Sequence, residues 1–268
     1  MKRILVYLSL SNMLFIIILS ISGAVSGILS ETFYYLAFII PFGLTLVLKK
    51  NLNMQYEPPR VKISSEGLKL TFAATAPILL FVFLISCLTD LILSPFGEGA
   101  VADVSGNLFF VIISQAVVTA VLEEMLFRYM PLSLLAPFSR RGAIIYSAAF
   151  FALVHCNLYQ LPYAFIAGVL FAMLDLMCDS ILPSVILHFI NNLISIFWIR
   201  YAAYQEFATV YVLILVAFAA VSIPFLFALR NSFKDKLWSI VCGDGAVELS
   251  IESIVFALAT ISIAIINL

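Results

Sequence analysis

Charge is what this sequence has least of. Lys, Arg, Asp and Glu make up 11% of its 268 residues and hydrophobic residues 64%, where soluble domains carry about 25% charged and 45–50% apolar residues. That balance excludes an ordinary soluble domain and indicates an integral membrane protein. The net charge of −1 excludes bulk attraction to nucleic acid. Cysteine is also scarce. Cys87, Cys156, Cys178 and Cys242 are scattered, three of them in or beside apolar runs, with no CxxC and no metal-type spacing. Neither a disulfide framework nor a cysteine-based zinc module is indicated, and the four read as small buried hydrophobes; a glutamate and the two histidines, split over three helices, neither support nor exclude zinc. There is no HExxH and no GxSxG, so the zinc-peptidase helix and the serine-hydrolase elbow are missing. Internal repeats and low-complexity tracts are absent as well. Only 49–69, with Pro58 and Pro59, resembles a linker. One integral membrane domain over 1–268 is expected.

What is present is a succession of long apolar runs. About 20 apolar residues cross a bilayer as a helix, and only helices satisfy their own backbone there without closing a barrel. Candidate helices are 4–28, 32–48, 70–94, 107–135, 143–158, 161–177, 182–199, 207–229 and 251–268. The expected fold is all-α, a polytopic bundle of eight or nine spans. The fifth and sixth are short and are separated near Pro162. Lys2 and Arg3 precede the first run, which is too long for a signal-peptide core and reads as an uncleaved helix. Basic residues cluster at Lys49, Lys50, Arg60, Lys62 and Lys69, at Arg140 and Arg141, and at Arg230, Lys234 and Lys236. With nine spans and a cytoplasmic N-terminus, all of these fall on the cytoplasmic side.

Against that background a few polar residues stand out. Glu123, Glu124 and Arg128 lie inside one apolar run, His155 in the next, and His188, Asn191 and Asn192 in a later one. The chain has two histidines and both belong to this set. Each ionisable group at mid-bilayer costs about 2.5–3.5 kcal/mol on insertion scales, so these residues need a function. Glu124 and Arg128 are four apart and can pair on one helix face. Glu123 points about 100° away, with no cation at helical reach, which suits a proton acceptor; membership of one structural ion-pair network is the competing reading. Counted from the loop at 136–142, Glu123 and His155 each lie about 12 residues in, roughly 18 Å. Antiparallel neighbours then hold an acid and an imidazole at one level. His188 and Asn192 share a face and can donate to an oxyanion or act as helix glue; for Asn191 glue is preferred. Asp175 is expected near a membrane interface.

These residues form three motifs, in order. Glu123, Glu124 and Arg128 make EExxxR, Phe151 and His155 make FxxxH, and His188 and Asn192 make HxxxN. Over roughly 107–199 the chain resembles the CPBP family, which includes the type II CAAX prenyl endopeptidases and their Abi-like bacteriocin-processing or immunity relatives. The resemblance implies an intramembrane glutamic peptidase. Glu123 would be the general base and His155 its partner in activating water. His188 and Asn192 would form the oxyanion site, with Glu124, Arg128 and Phe151 in support and no metal or cofactor. Helices within 107–199 would carry the chemistry, flanked by 1–95 and 207–268, around a cavity open to the membrane and cytoplasm. The implied partners are the lipid bilayer and a membrane-associated substrate, a lipidated CAAX terminus or a leader peptide. The implied location is the cell membrane of a prokaryote. Two other classes stay open: a non-catalytic immunity or scaffold protein, and a proton-coupled transporter, although no inverted repeat supports the latter.

Overall fold

The computed structural model describes residues 2–51, 59–96, 102–201 and 205–242. Eight helices account for almost all of them. They are α1 (Lys2–Ala24), α2 (Ile28–Asn51), α3 (Ser65–Leu93), α4 (Leu108–Leu135), α5 (Arg140–Leu153), α6 (Leu161–Cys178), α7 (Leu182–Tyr201) and α8 (Gln205–Val241). Small polar side chains start several of them. Ser64 Oγ accepts from Gly67 N, Asn107 Oδ1 from Phe109 N, and Ser139 Oγ from Gly142 N, each at 3.0 Å. Each satisfies one N–H that a helix start leaves without an internal partner. Asp179 ends α6 in the left-handed region, φ 52°, which Asp tolerates better than most residues.

Seven helices are long and apolar enough to span a bilayer. The integral membrane class holds, but eight or nine spans are not reached among the described residues. The expected span 251–268 lies outside them. The expected span 143–158 is α5, with 14 residues. At about 1.5 Å per residue it extends roughly 21 Å, short of the hydrocarbon core of about 30 Å. It stops at Leu153, so His155 lies in a turn and not on a helix, with Cys156 beside it at φ 47°.

α5 and α6 form an antiparallel pair, so the chain returns to the side where α5 began. Contacts place that side. Lys236 Nζ, late in α8, donates to Met177 O at the end of α6 (2.9 Å), and Arg140 Nη1 at the start of α5 donates to Ser239 Oγ (2.5 Å). Ser9 of α1 meets Tyr146 of α5 at 3.1 Å. The N-terminus, the 59–64 segment, the 136–139 and 179–181 turns and the end of α8 therefore share one face. Arg60 N donates to Asp179 O at 3.1 Å and Ile181 N donates to Arg60 O at 3.0 Å, which binds this face together. The apolar core sits between α1, α2 and α4–α7 (Leu5, Phe127, Met130, Leu135, Phe171, Leu187). Phe72, Phe109, Phe110, Leu213 and Phe218 are exposed on outward faces, as lipid contact requires.

Candidate active site

The site starts from irregularities in α4. Two stretches, Ile112–Val118 and Met125–Tyr129, are wound as wide π turns, a form that concentrates at functional sites. In the first, Thr119 N–H bonds Ser114 O instead of the carbonyl four residues back. That carbonyl, Gln115 O, accepts from Asn192 Nδ2 of α7 at 3.1 Å. In the second, Pro131 has no N–H to give Phe127 O, four residues before it. Ser147 Oγ of α5 fills the gap at 2.5 Å, and Arg128 Nη1 adds a 3.3 Å bond.

Between these turns the two glutamates diverge. Glu124 and Arg128 are fully buried, with Oε2 to Nε at 3.5 Å. Glu124 Oε1 also meets His188 Nδ1 at 2.7 Å. A carboxylate only accepts, so Nδ1 carries a proton and Nε2 is turned away from Glu124. The Arg128 guanidinium lies 4.1 Å over the Phe151 ring, within cation–π range, and its Nε and Nη2 have no hydrogen-bond partner among the described residues. Phe151 also meets the His155 and His188 rings edge-on, at 5.0 and 5.5 Å between centroids. The FxxxH phenylalanine therefore forms a common wall for the cation and both imidazoles.

Glu123 is more open, its side chain 15% exposed, with Oε2 3.7 Å from His188 Nε2. Its nearest imidazole is thus His188 of α7, where the sequence pointed to His155. His155 Nδ1 lies 2.7 Å from Phe151 O; a carbonyl only accepts, so this nitrogen also carries the proton and Nε2 is left free. Glu123, His155, His188, Asn191 and Asn192 nevertheless line one cavity of about 1390 Å³. Asn192 spends one of its two amide N–H groups on Gln115 O, the interhelical role that the sequence preferred for Asn191. No cluster of three His, Cys, Asp or Glu side chains suited to a metal is found among the described residues.

Several contributors carry no sequence signal of their own. Gly168 of α6 lies so close to α5 that an added Cβ would sit 2.9 Å from Ala148 Cα and 3.2 Å from Arg128 Nη2. Tyr34 and Tyr163 also line the cavity, within electrostatic reach of Glu123, and Tyr34 Oη pairs with Thr119 Oγ1 at 3.0 Å. Asp175, three residues before the end of α6, faces inward. It is fully buried, and its Oδ1 accepts from Ser184 N at 3.0 Å, capping α7 from a neighbouring helix. The cysteines correct an expectation: only Cys178 is buried, while Cys87 and Cys242 are exposed.

The cavity lining is concentrated toward one end of the bundle. Its rim comes from Ser30 and Glu31, Ser94, Val104, Asn157 and Tyr159. These lie in the first turn of α2 and in the α3–α4 and α5–α6 connections, all opposite the N-terminal face. None of the described connections on the N-terminal face contributes to the lining.

A helical membrane protein with a buried Glu–Arg–His cluster beside a second glutamate and a second histidine defines a class, the polytopic proteins with an acid–imidazole site inside the bundle. Residues 105–194 match the family model described as type II CAAX prenyl endopeptidase, Rce1-like. That segment contains all three motifs, from Glu123 to Asn192, and is similar to the CAAX endopeptidase-type membrane proteases. No match was found among curated proteins or solved structures.

Proposed function

We propose that this protein is an intramembrane glutamic peptidase that hydrolyses a peptide bond in a membrane-associated substrate. The observation that carries this reading is the asymmetry between the two glutamates. Glu124 is locked between Arg128 and His188, whereas Glu123 faces the cavity 3.7 Å from His188 Nε2. One acid is held as structure, and the other is free to move a proton.

In this mechanism a water beside Glu123 gives its proton to the carboxylate as its oxygen attacks the substrate carbonyl carbon. The free Nε2 of His155 takes the other hydrogen bond of that water and orients it. Charge then develops on the carbonyl oxygen, where His188 in its doubly protonated form donates from Nε2–H and Asn192 donates its second N–H. Glu124 holds the His188 ring through Nδ1. Glu123 returns its proton to the leaving amine, the C–N bond breaks, and the acid and amine products leave. General base catalysis of this kind contributes about 10²–10⁴-fold.

The test is Glu123→Gln, incubated beside wild type with host membranes, with the released peptides read by mass spectrometry. The expected result is loss of the peptides that wild type produces, with normal insertion and thermal stability. Unchanged peptide release would end the peptidase reading. A variant that releases nothing yet still protects its host or binds its partner would indicate the immunity or scaffold class.

A further inference from the structure

We propose that substrate enters from the face opposite the N-terminus, that this face is extracytoplasmic, and that the natural substrate is therefore an exported peptide segment and not a cytoplasmic CAAX terminus. What is cut rests on the peptidase reading above; the route of entry does not depend on turnover.

The rim fixes the direction relative to the chain. Ser30 in the first turn of α2 and the connection residues Ser94, Val104 and Tyr159 all line the cavity opposite the N-terminal face. None of the described connections on the N-terminal face contributes a lining residue. That face is instead closed by the Arg60–Ile181 and Arg60–Asp179 backbone bonds, by Lys236 on Met177 O and by Arg140 on Ser239.

Charge fixes the direction relative to the membrane. Of the 14 Lys and Arg residues, all but Arg128 and Arg200 occupy positions toward the N-terminal face. Arg128 is buried in the site, and Arg200 on the cavity side donates to Ser105 O and Gly106 O. An excess of Lys and Arg in connections of this length marks the cytoplasmic side. The fold sharpens the rule here. The α5–α6 pair returns the chain to its starting side, so the basic clusters coincide on one face although one of the eight helices is too short to span.

The lining fits the same substrate class. Glu31, Asp90 and Glu123 line the cavity and no Lys or Arg does. A substrate inserting its C-terminal carboxylate would find no cation to receive it, whereas an internal segment brings no such charge.

The test uses a membrane-impermeant methanethiosulfonate reagent on intact cells and on inside-out vesicles, with labelled cysteines identified by peptide mass spectrometry. The native chain supplies two probes, the exposed cavity-lining Cys87 and the exposed Cys242 beyond α8. Ser94→Cys adds a third at the exposed rim. Labelling of Cys87 and Ser94→Cys in intact cells, with Cys242 labelled only in inside-out vesicles, supports the proposal. Labelling of Ser94→Cys only in inside-out vesicles, or equally in both, overturns it and leaves the peptidase reading intact. Conversely, a Glu123→Gln protein with undiminished peptide release would sink the peptidase reading without moving the labelling pattern.

Discussion

Glu123 and Glu124 are consecutive in sequence and opposite in circumstance. Glu124 and Arg128 are both fully buried, and removing one partner of such a pair leaves a bare charge at a cost of about 3–5 kcal/mol. Glu124→Gln is therefore expected to lower the melting temperature markedly and to loosen His188, whose Nδ1 sits 2.7 Å from that carboxylate. Glu123→Gln keeps the buried pair, and its melting temperature should stay within error of wild type. Detergent-solubilised unfolding of the two variants separates these outcomes; equal destabilisation would mean that Glu123 is structural too. The Glu124–Arg128 pairing was legible from its four-residue spacing. The His188 partnership was not, because the two residues lie 64 positions apart and helix periodicity carries no information across that distance. The same limit turned the expected Glu123–His155 pair into one cavity with His188 nearest.

At the scale of single helices, α4 matters most. Its wide turns leave carbonyls that other helices satisfy, Gln115 O by Asn192 and Phe127 O by Ser147. A buried carbonyl left unpaired costs about 1–3 kcal/mol. Ser147→Ala leaves Phe127 O only the longer Arg128 bond and should destabilise by about 0.5–1.5 kcal/mol, and Pro131→Ala, which restores an N–H near Phe127 O, should recover part of the loss. Additive effects in thermal unfolding of the double variant would show that the two do not share that carbonyl. Gly168 is the second sensitive point. With Ala148 Cα 2.9 Å from its hypothetical Cβ, even Gly168→Ala must push α5 from α6, and overpacking of this kind costs about 1–3 kcal/mol. The expected readout is a lower melting temperature together with weaker peptide release, since Arg128 is displaced as well. Pro131 announces a missing donor in the sequence; that Ser147 supplies the replacement is visible only once α4 and α5 are packed.

For the whole molecule, the relevant length is the path from rim to site. Glu124 lies about 16 residues along α4 from Leu108, and His188 about 13 residues along α7 from Tyr201, roughly 20–24 Å. An extended chain covers about 3.3 Å per residue, so a scissile bond needs roughly six or seven unfolded residues before any folded domain. A cleavable segment tethered to a folded carrier by progressively shorter linkers should lose cleavage near that length in a purified assay. Cleavage that persists with a two-residue tether would mean that substrate enters sideways through the bundle. The length of the path also explains why a chain with so few charges keeps Glu123, His155 and His188 beneath one cavity: polar groups this deep are tolerated where they face a cavity or one another and not lipid.

By itself the sequence determined the membrane class, the helical form, the positions of most helices and the identities of the polar residues. Those follow from hydrophobic run length, backbone hydrogen bonding and insertion cost, which act locally along the chain. The tertiary structure alone decided which glutamate is locked, which histidine faces which acid, that α5 stops short of spanning, and which end of the bundle lines the cavity. Each of those depends on contacts between helices distant in sequence, where packing geometry selects the partners and no periodic pattern along the chain records the choice.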